Sequence, residues 1–215
     1  GSTATQTAEY QAALSAKNIA QQEYNDKLNI YNQEVAPLNS YNQYGVKGPQ
    51  LAGVRLGYLL GVLGFTPKSI LDVGYGNGDF LNVCKETIKS YGNDISNYPI
   101  PEGCEFVKDI FSDHYDVISM FDVLEHFEDI SFVKDLKCDY FYISVPWCHN
   151  YSDEWFLNWK HRRPDEHLWH FNEESLIRFF DAQGYSKVNT SNFEDVVRKS
   201  KEEYSNILSG VFKKR

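Results

Sequence analysis

The chain has few positive charges. Its 21 Lys and Arg stand against 30 Asp and Glu, a formal net charge of -9. Nucleic-acid affinity rests largely on basic side chains neutralising phosphates. A broad nucleic-acid surface is therefore disfavoured, although a small local basic patch stays compatible with the composition. Cysteine is sparse as well. The four residues, Cys84, Cys104, Cys138 and Cys148, form no C-x-x-C pair. They read as reduced thiols, not as a disulfide frame or a zinc site. No apolar run reaches membrane-spanning length, and no signal peptide is visible, so a cytoplasmic location is expected. Methionine occurs once, as Met120, and Gly1-Ser2 resembles a cleavage scar. The native start is therefore expected to be missing.

What remains is a chain of 215 residues, 42% hydrophobic and 15% aromatic, enough for one decorated α/β domain. It is organised around Ile70-Leu71-Asp72-Val73-Gly74-Tyr75-Gly76-Asn77-Gly78-Asp79-Phe80. A short apolar run, a three-glycine turn and an amphipathic segment read as strand, loop and helix. That is the opening unit of a nucleotide-binding fold. The glycine spacing is G-x-G-x-G. A dinucleotide fold wants G-x-G-x-x-G, and Asp79 stands where its third glycine would be.

Before this unit, residues 4–36 are polar and rich in Gln, Asn and Ala. Tyr24, Leu28, Tyr31, Val35 and Leu38 recur at steps of four and three, with Tyr10 and Leu14 continuing the seam beyond a polar break at Lys17 and Gln21. The spacing predicts an amphipathic helix ending before Pro37. It either packs across the domain or supports self-association. Residues 39–50 are turn-rich and aromatic, with Tyr41 and Tyr44 among them. The division expected is 1–50 for this N-terminal part and 51–215 for the main domain, with an aromatic, His-rich insertion at 147–171.

Within the main domain, a helix is expected over 51–63 and strands at 69–73, 91–95, 104–111, 115–120 and 140–145. Asn172 is a good N-cap for a helix that Gly184 ends. Two closing strands follow, near 185–188 and 205–213. Asp94 lies at the end of the second strand, where a carboxylate can accept hydrogen bonds from ribose hydroxyls.

The motif from Asp72 to Gly78 resembles the first motif of class I S-adenosylmethionine (SAM) dependent methyltransferases, D/E-x-G-x-G-x-G. The run Tyr115-Asp116-Val117-Ile118 to Val123-Leu124-Glu125-His126 and Asp129 is similar to the "YDVI…VLEH..D" segment of one large branch of that family. Ser144-Val145-Pro146 continues its "SVPN" pattern, with Trp147 departing from it. His167-Leu168 to Phe171 matches its "H-L-x-x-F". The resemblance covers residues 51–213, and because the segment before the first strand often covers the active site in that family, it makes Tyr41 and Tyr44 candidate lid residues. It implies a Rossmann-like, seven-stranded, mostly parallel sheet with an antiparallel last strand and helices on both faces. It also implies SAM as cofactor, with Asp72, Gly74, Tyr75, Gly76 and Gly78 in the binding loop and Asp94 and Ile95 at the ribose. Asp109 is carried over to the adenine amino group, Ile110 to the ring, and Phe121 to the remaining cofactor contacts.

The branch includes ubiquinone-pathway O-methyltransferases and small-RNA terminal 2′-O-methyltransferases. Two roles follow for the residues after the fourth strand. His126 and His167 are candidate catalytic bases in an acceptor pocket. By resemblance to the RNA enzymes, Asp122, Glu125, His126 and His167 would hold a divalent metal, with Asp122 replacing the more usual Glu. Such oxygen-rich ligation suits Mg²⁺ or Mn²⁺ better than zinc. If residues 122–126 are helical, Asp122, Glu125 and His126 share one face. His114, His149, His161 and His170 read as surface or packing residues. The expected function is O-methylation of a small molecule or sugar. The alternatives are methylation of an RNA end and a non-catalytic SAM-binding or assembly protein, with a NAD-dependent oxidoreductase third.

Overall fold

The computed structural model describes residues 47–96, 98–198 and 203–215, all within one compact unit spanning Tyr44–Arg215. The expected helix at 4–36 and the lid residues Tyr41 and Tyr44 lie outside the described residues. Among the described residues, no helix is long and apolar enough to cross a membrane.

Helix α1 (Lys47–Leu63) leads into strand β1 (Ser69–Val73), the glycine loop and helix α2 (Asp79–Cys84). Strands β2 (Lys89–Asn93), β3 (Glu105–Phe106), β4 (His114–Phe121) and β5 (Lys137–Pro146) follow. Helices α3 (Asp153–Asn158) and α4 (Glu173–Ala182) precede β6 (Tyr185–Ser191) and β7 (Ile207–Lys214). The seven strands form one sheet in the order β3-β2-β1-β4-β5-β7-β6. Strands β1 to β5 pair in parallel, and β7 runs antiparallel between β5 and β6. This is the expected fold, a Rossmann-like α/β sheet with an antiparallel last strand.

Alternation along the central strands assigns the two sides of the sheet. Ile70, Val117, Tyr142 and Val211 face one core with Ala52 and Leu59 of α1 and Phe80 and Cys84 of α2. Leu71, Ile118, Phe141 and Phe212 face the other, with Leu176 and Phe180 of α4. Both faces of the central strands are covered, so they read as nearly continuous apolar runs. Helix α4 is closed at its start by the capping box of Asn172 and Ser175.

Several connections are shorter than expected. Helix α2 ends at Cys84, and the buried Ile88 turns the chain back so that β2 begins at Lys89, ahead of the expected 91. Strand β3 is two residues long and lies within residues 104–111, expected to hold the third strand and its exit. The described residues between β2 and β3 form no helix. Pro99 and Pro101 lack the N–H donors that a helix there would need. Between β4 and β5, 3-10 turns at Leu124–His126 and Ser131–Asp135 stand in place of a helix.

Candidate active site

The glycine loop sits at the carboxyl end of β1, where open α/β sheets bind their ligands. Gly74, Gly76 and Gly78 have φ of 76°, 55° and 78°, a region that residues with a Cβ rarely enter. A Cβ on Gly74 would fall 2.4 Å from Val123, and one on Gly78 would fall 2.4 Å from Pro101. Gly76 differs, because a Cβ there meets nothing within 4 Å. Its outer side is open, as a loop that receives a ligand on its backbone must be. The loop fits a nucleoside cofactor on that observation.

The other residues carried over to the cofactor have varied places. Asp94 straps the loop to β2: its carboxylate accepts from the Gly76 N–H at 2.8 Å and from the Ser96 N–H at 2.6 Å. Tyr75 is buried and its hydroxyl donates to the Tyr98 carbonyl at 2.6 Å. Asp72 lies beneath the loop, accepting from the Ser119 hydroxyl at 2.7 Å, and burial pushes its carboxyl up to about 7. Ile95 is fully exposed beside Asp94. Asp109 lies on the exposed loop after β3, holding the Phe111 N–H, and Ile110 is half-buried against the α4-side core. The Phe121 ring packs edge-on to Phe80 and Tyr142, with the Arg55 guanidinium 4.0 Å above it. Its side chain is thus committed to the core.

The close approach of Val123 to Gly74 places the β4 exit beside the loop. Asp122 there has φ of 55°, the one positive value among the described non-glycine residues, and such a backbone is costly unless its surroundings hold it. Its carboxylate takes an N–H of Arg198 at 2.8 Å and lies 3.8 Å from Arg55. Burial alone would raise the Asp122 pKa, but the charges of Arg198 and Arg55 outweigh it and hold the group below its ordinary value. Both guanidiniums also bind the fully buried Glu194, Arg55 through two nitrogens. The expected helical face of Asp122, Glu125 and His126 does not form. The metal set expected from four residues is therefore corrected: Asp122 is turned into the arginine network, and Glu125, His126 and His167 come together without it.

Those three offer donor atoms that all lie within 4.8 Å of one another. His126 donates from Nδ1 to the Glu166 carbonyl at 2.8 Å, and His167 donates from Nδ1 to the His161 carbonyl at 2.7 Å. A carbonyl can only accept, so both neutral rings carry the proton on Nδ1 and a lone pair on Nε2. The rings meet edge to face at 4.7 Å. Burial lowers the pKa of His167, which favours its neutral, basic form. Glu125 is buried and neither carboxylate oxygen has a hydrogen-bond partner. Burial, and then the charge of Asp122, push it up to about 8. The Glu125 carbonyl accepts from the N–H groups of Leu168 and Trp169, which ties the turn to the later segment.

Arg55, Glu194 and Arg198 carried no local signal, since Arg55 and Glu194 are 139 residues apart. His161 is half-buried and contributes the carbonyl that orients His167, while its own Nε2 reaches Asn206 at 2.8 Å. The only sequence hint was the His161 to His167 spacing within the insertion. His114 pairs with Asp139 at the opposite end of the sheet.

The family described as a methyltransferase domain matches residues 54–190. Solved structures share the fold at low identity. The magnesium protoporphyrin IX methyltransferase of Synechocystis PCC 6803 with bound S-adenosylhomocysteine (SAH) is 14% identical with a TM-score of 0.58, over 87% of this chain and 97% of that one. The methyltransferase domain of a bacterial Hen1 is 17% identical with a TM-score of 0.52, over 76% and 98%. The 1,6-didemethyltoxoflavin-N1-methyltransferase of Burkholderia thailandensis is 17% identical with a TM-score of 0.52, over 96% and 89%. A search of curated proteins finds no match.

Proposed function

The chain belongs to the methyltransferase-domain family and is a SAM-dependent methyltransferase; on that premise we propose that it methylates a hydroxyl oxygen of a small molecule or sugar, with His126 and His167 receiving the acceptor proton. The observation that carries this reading is the imidazole pair. Both rings are pinned through Nδ1 and leave Nε2 basic, beside the strand exit that abuts the glycine loop. SAM supplies an activated methyl on a sulfonium. The protein has to align an acceptor lone pair behind that methyl and take up a proton. An imidazole neutral near pH 7 suits a hydroxyl, which must lose its proton as it is methylated. The buried Glu125, pushed up to about 8, holds its own proton near pH 7 and offers a hydrogen bond to a neighbouring acceptor oxygen.

A second reading is favoured by the same donor set. Two imidazole nitrogens and an orphaned carboxylate fit a divalent cation that would grip vicinal hydroxyls, as at an RNA end. With Asp122 diverted, the nitrogen-rich set suits Mn²⁺ better than Mg²⁺. The net charge of -9 speaks against a nucleic-acid acceptor. The test is transfer of labelled methyl from SAM to panels of alcohols, phenols, amines, thiols and short RNAs, with and without a chelator. Labelled ethers formed in the presence of chelator support the hydroxyl reading. Labelling of RNA alone, abolished by chelator, overturns it.

A further inference from the structure

The segment after β5 carries rings at alternate positions. Trp147, His149 and Tyr151 stack, and the Tyr151 N–H closes a tight turn onto the His149 carbonyl at 3.0 Å. Trp147 and His149 lie 5.3 Å apart at 11°, and His149 and Tyr151 lie 5.2 Å apart at 5°. His149 is locked in place by Nε2 donating to the Ser205 carbonyl at 2.7 Å. Trp155 and Tyr204 stand edge-on to the ladder. Tyr151 ends it and is 62% exposed, unusual for a ring in so ordered a stack.

The ladder lines an open groove of about 480 Å³, which Asn172, Glu173 and Glu174 at the start of α4 line as well. A second hollow of about 430 Å³ adjoins Trp155, with Trp159, Glu154 and Asn158 in its lining. The chemistry of these surfaces narrows the occupant. An open groove gives a lipid chain little enclosure. Its described lining holds no Lys or Arg, and Glu173 and Glu174 are paired with Lys187 and Arg178, so the groove offers phosphates and carboxylates no cationic lining. Flat ring faces next to carboxylate and amide oxygens suit a ligand with C–H faces to stack and hydroxyls to donate. That combination is a neutral saccharide.

The groove is tied to the reactive edge by a single stretch of chain. Leu168 and Trp169 donate to the Glu125 carbonyl, and Cys148 donates to the Phe171 carbonyl. The five steps from His167 to Asn172 span at most ~17 Å of extended chain. We propose that the groove holds a non-reacting sugar unit of the acceptor, so that the acceptor is an oligosaccharide or glycoconjugate. This rests on the reading of His126 and His167 as the hydroxyl-methylating edge and names the substrate class for it.

The test is saturation-transfer NMR and tryptophan-fluorescence titration of the full chain. The probes are neutral oligosaccharides of two to five units, the matching monosaccharides, sialylated and phosphorylated glycans, and planar heteroaromatic amines. Thermal stabilisation by SAH is read alongside. The expected result is binding of neutral oligosaccharides over monosaccharides and acidic glycans. Binding should weaken about tenfold in Tyr151→Ala, the loss of one stacking contact, and also fall in Glu174→Gln, with the SAH response unchanged in both. Glu174 is largely exposed and makes an i,i+4 pair with Arg178, so its substitution leaves the fold intact. An intact SAH response with no glycan binding, with binding indifferent to Tyr151→Ala, or with heteroaromatic amines preferred, overturns the proposal. Loss of the SAH response in the unmodified chain would instead overturn the methyl-transfer reading on which it rests.

Discussion

The glycine loop and the turn after β4 lie side by side, yet they are built in opposite ways. The loop is local. Its shape follows from three glycines within five residues and from the backbone bond of the Gly78 N–H to the Tyr75 carbonyl at 2.9 Å, with Asp94 as a distant strap. The turn is assembled from afar. Asp122 is held by Arg198, 76 residues on, and His126 by the Glu166 carbonyl, 40 residues on. A cofactor shared by a whole family can be received by backbone. An acceptor peculiar to one member has to be met by side chains, and their positions depend on distant parts of the chain.

The sharpest way to break this contrast is to remove chemistry from one side only. His167→Ala is expected to lower kcat by about 10²–10⁴-fold, the usual contribution of a positioned base, while SAH affinity stays within a factor of about two. Turnover measured beside SAH titration checks this. A comparable loss of SAH affinity would show that the two regions are one site. The next effect is on stability. Glu194 is fully buried between Arg55 and Arg198, and breaking a buried ion pair leaves charge without a partner. Glu194→Ala should cost about 3–5 kcal/mol in urea unfolding.

That network marks the limit of what the sequence allowed. The central strands, the loop and the α4 cap were legible because each rests on near neighbours: an apolar run, a glycine spacing, Asn172 followed by Ser175. Glu125, His126 and His167 were legible as a group through motif order. Asp122 was misplaced because its direction is set by Arg198, 76 residues away, and no spacing rule reports that. The 3-10 turn at Leu124–His126, in place of a helix over 122–126, was similarly hidden.

A smaller effect separates the two regions by pH. Asp72 has a folded pKa of about 7, raised by burial, against about 3.9 for a free Asp. Between these values the folded chain keeps a proton that the unfolded chain has lost. Stability therefore falls as pH rises from about 4 to about 7. Asp72→Asn should flatten that decline, by on the order of 2–4 kcal/mol between the ends of the range. Unfolding midpoints at pH 4.5 and 7.5 give the answer, and an unchanged slope would mean that Asp72 is charged in the fold. The smallest effect lies outside both regions. Asn172→Ala removes the α4 cap and should cost about 1 kcal/mol, with SAH affinity untouched.

The most direct measurement is calorimetric titration of SAH into the unmodified chain, Gly76→Val and His167→Ala. The Gly76 φ of 55° and the open space beside it make that position the point where a side chain would stand in the way of the cofactor. The account predicts tight, similar binding to the unmodified chain and His167→Ala, and none to folded Gly76→Val. Retained binding in Gly76→Val, or its loss in His167→Ala, would contradict the division between a backbone loop that receives the cofactor and a side-chain turn that meets the acceptor.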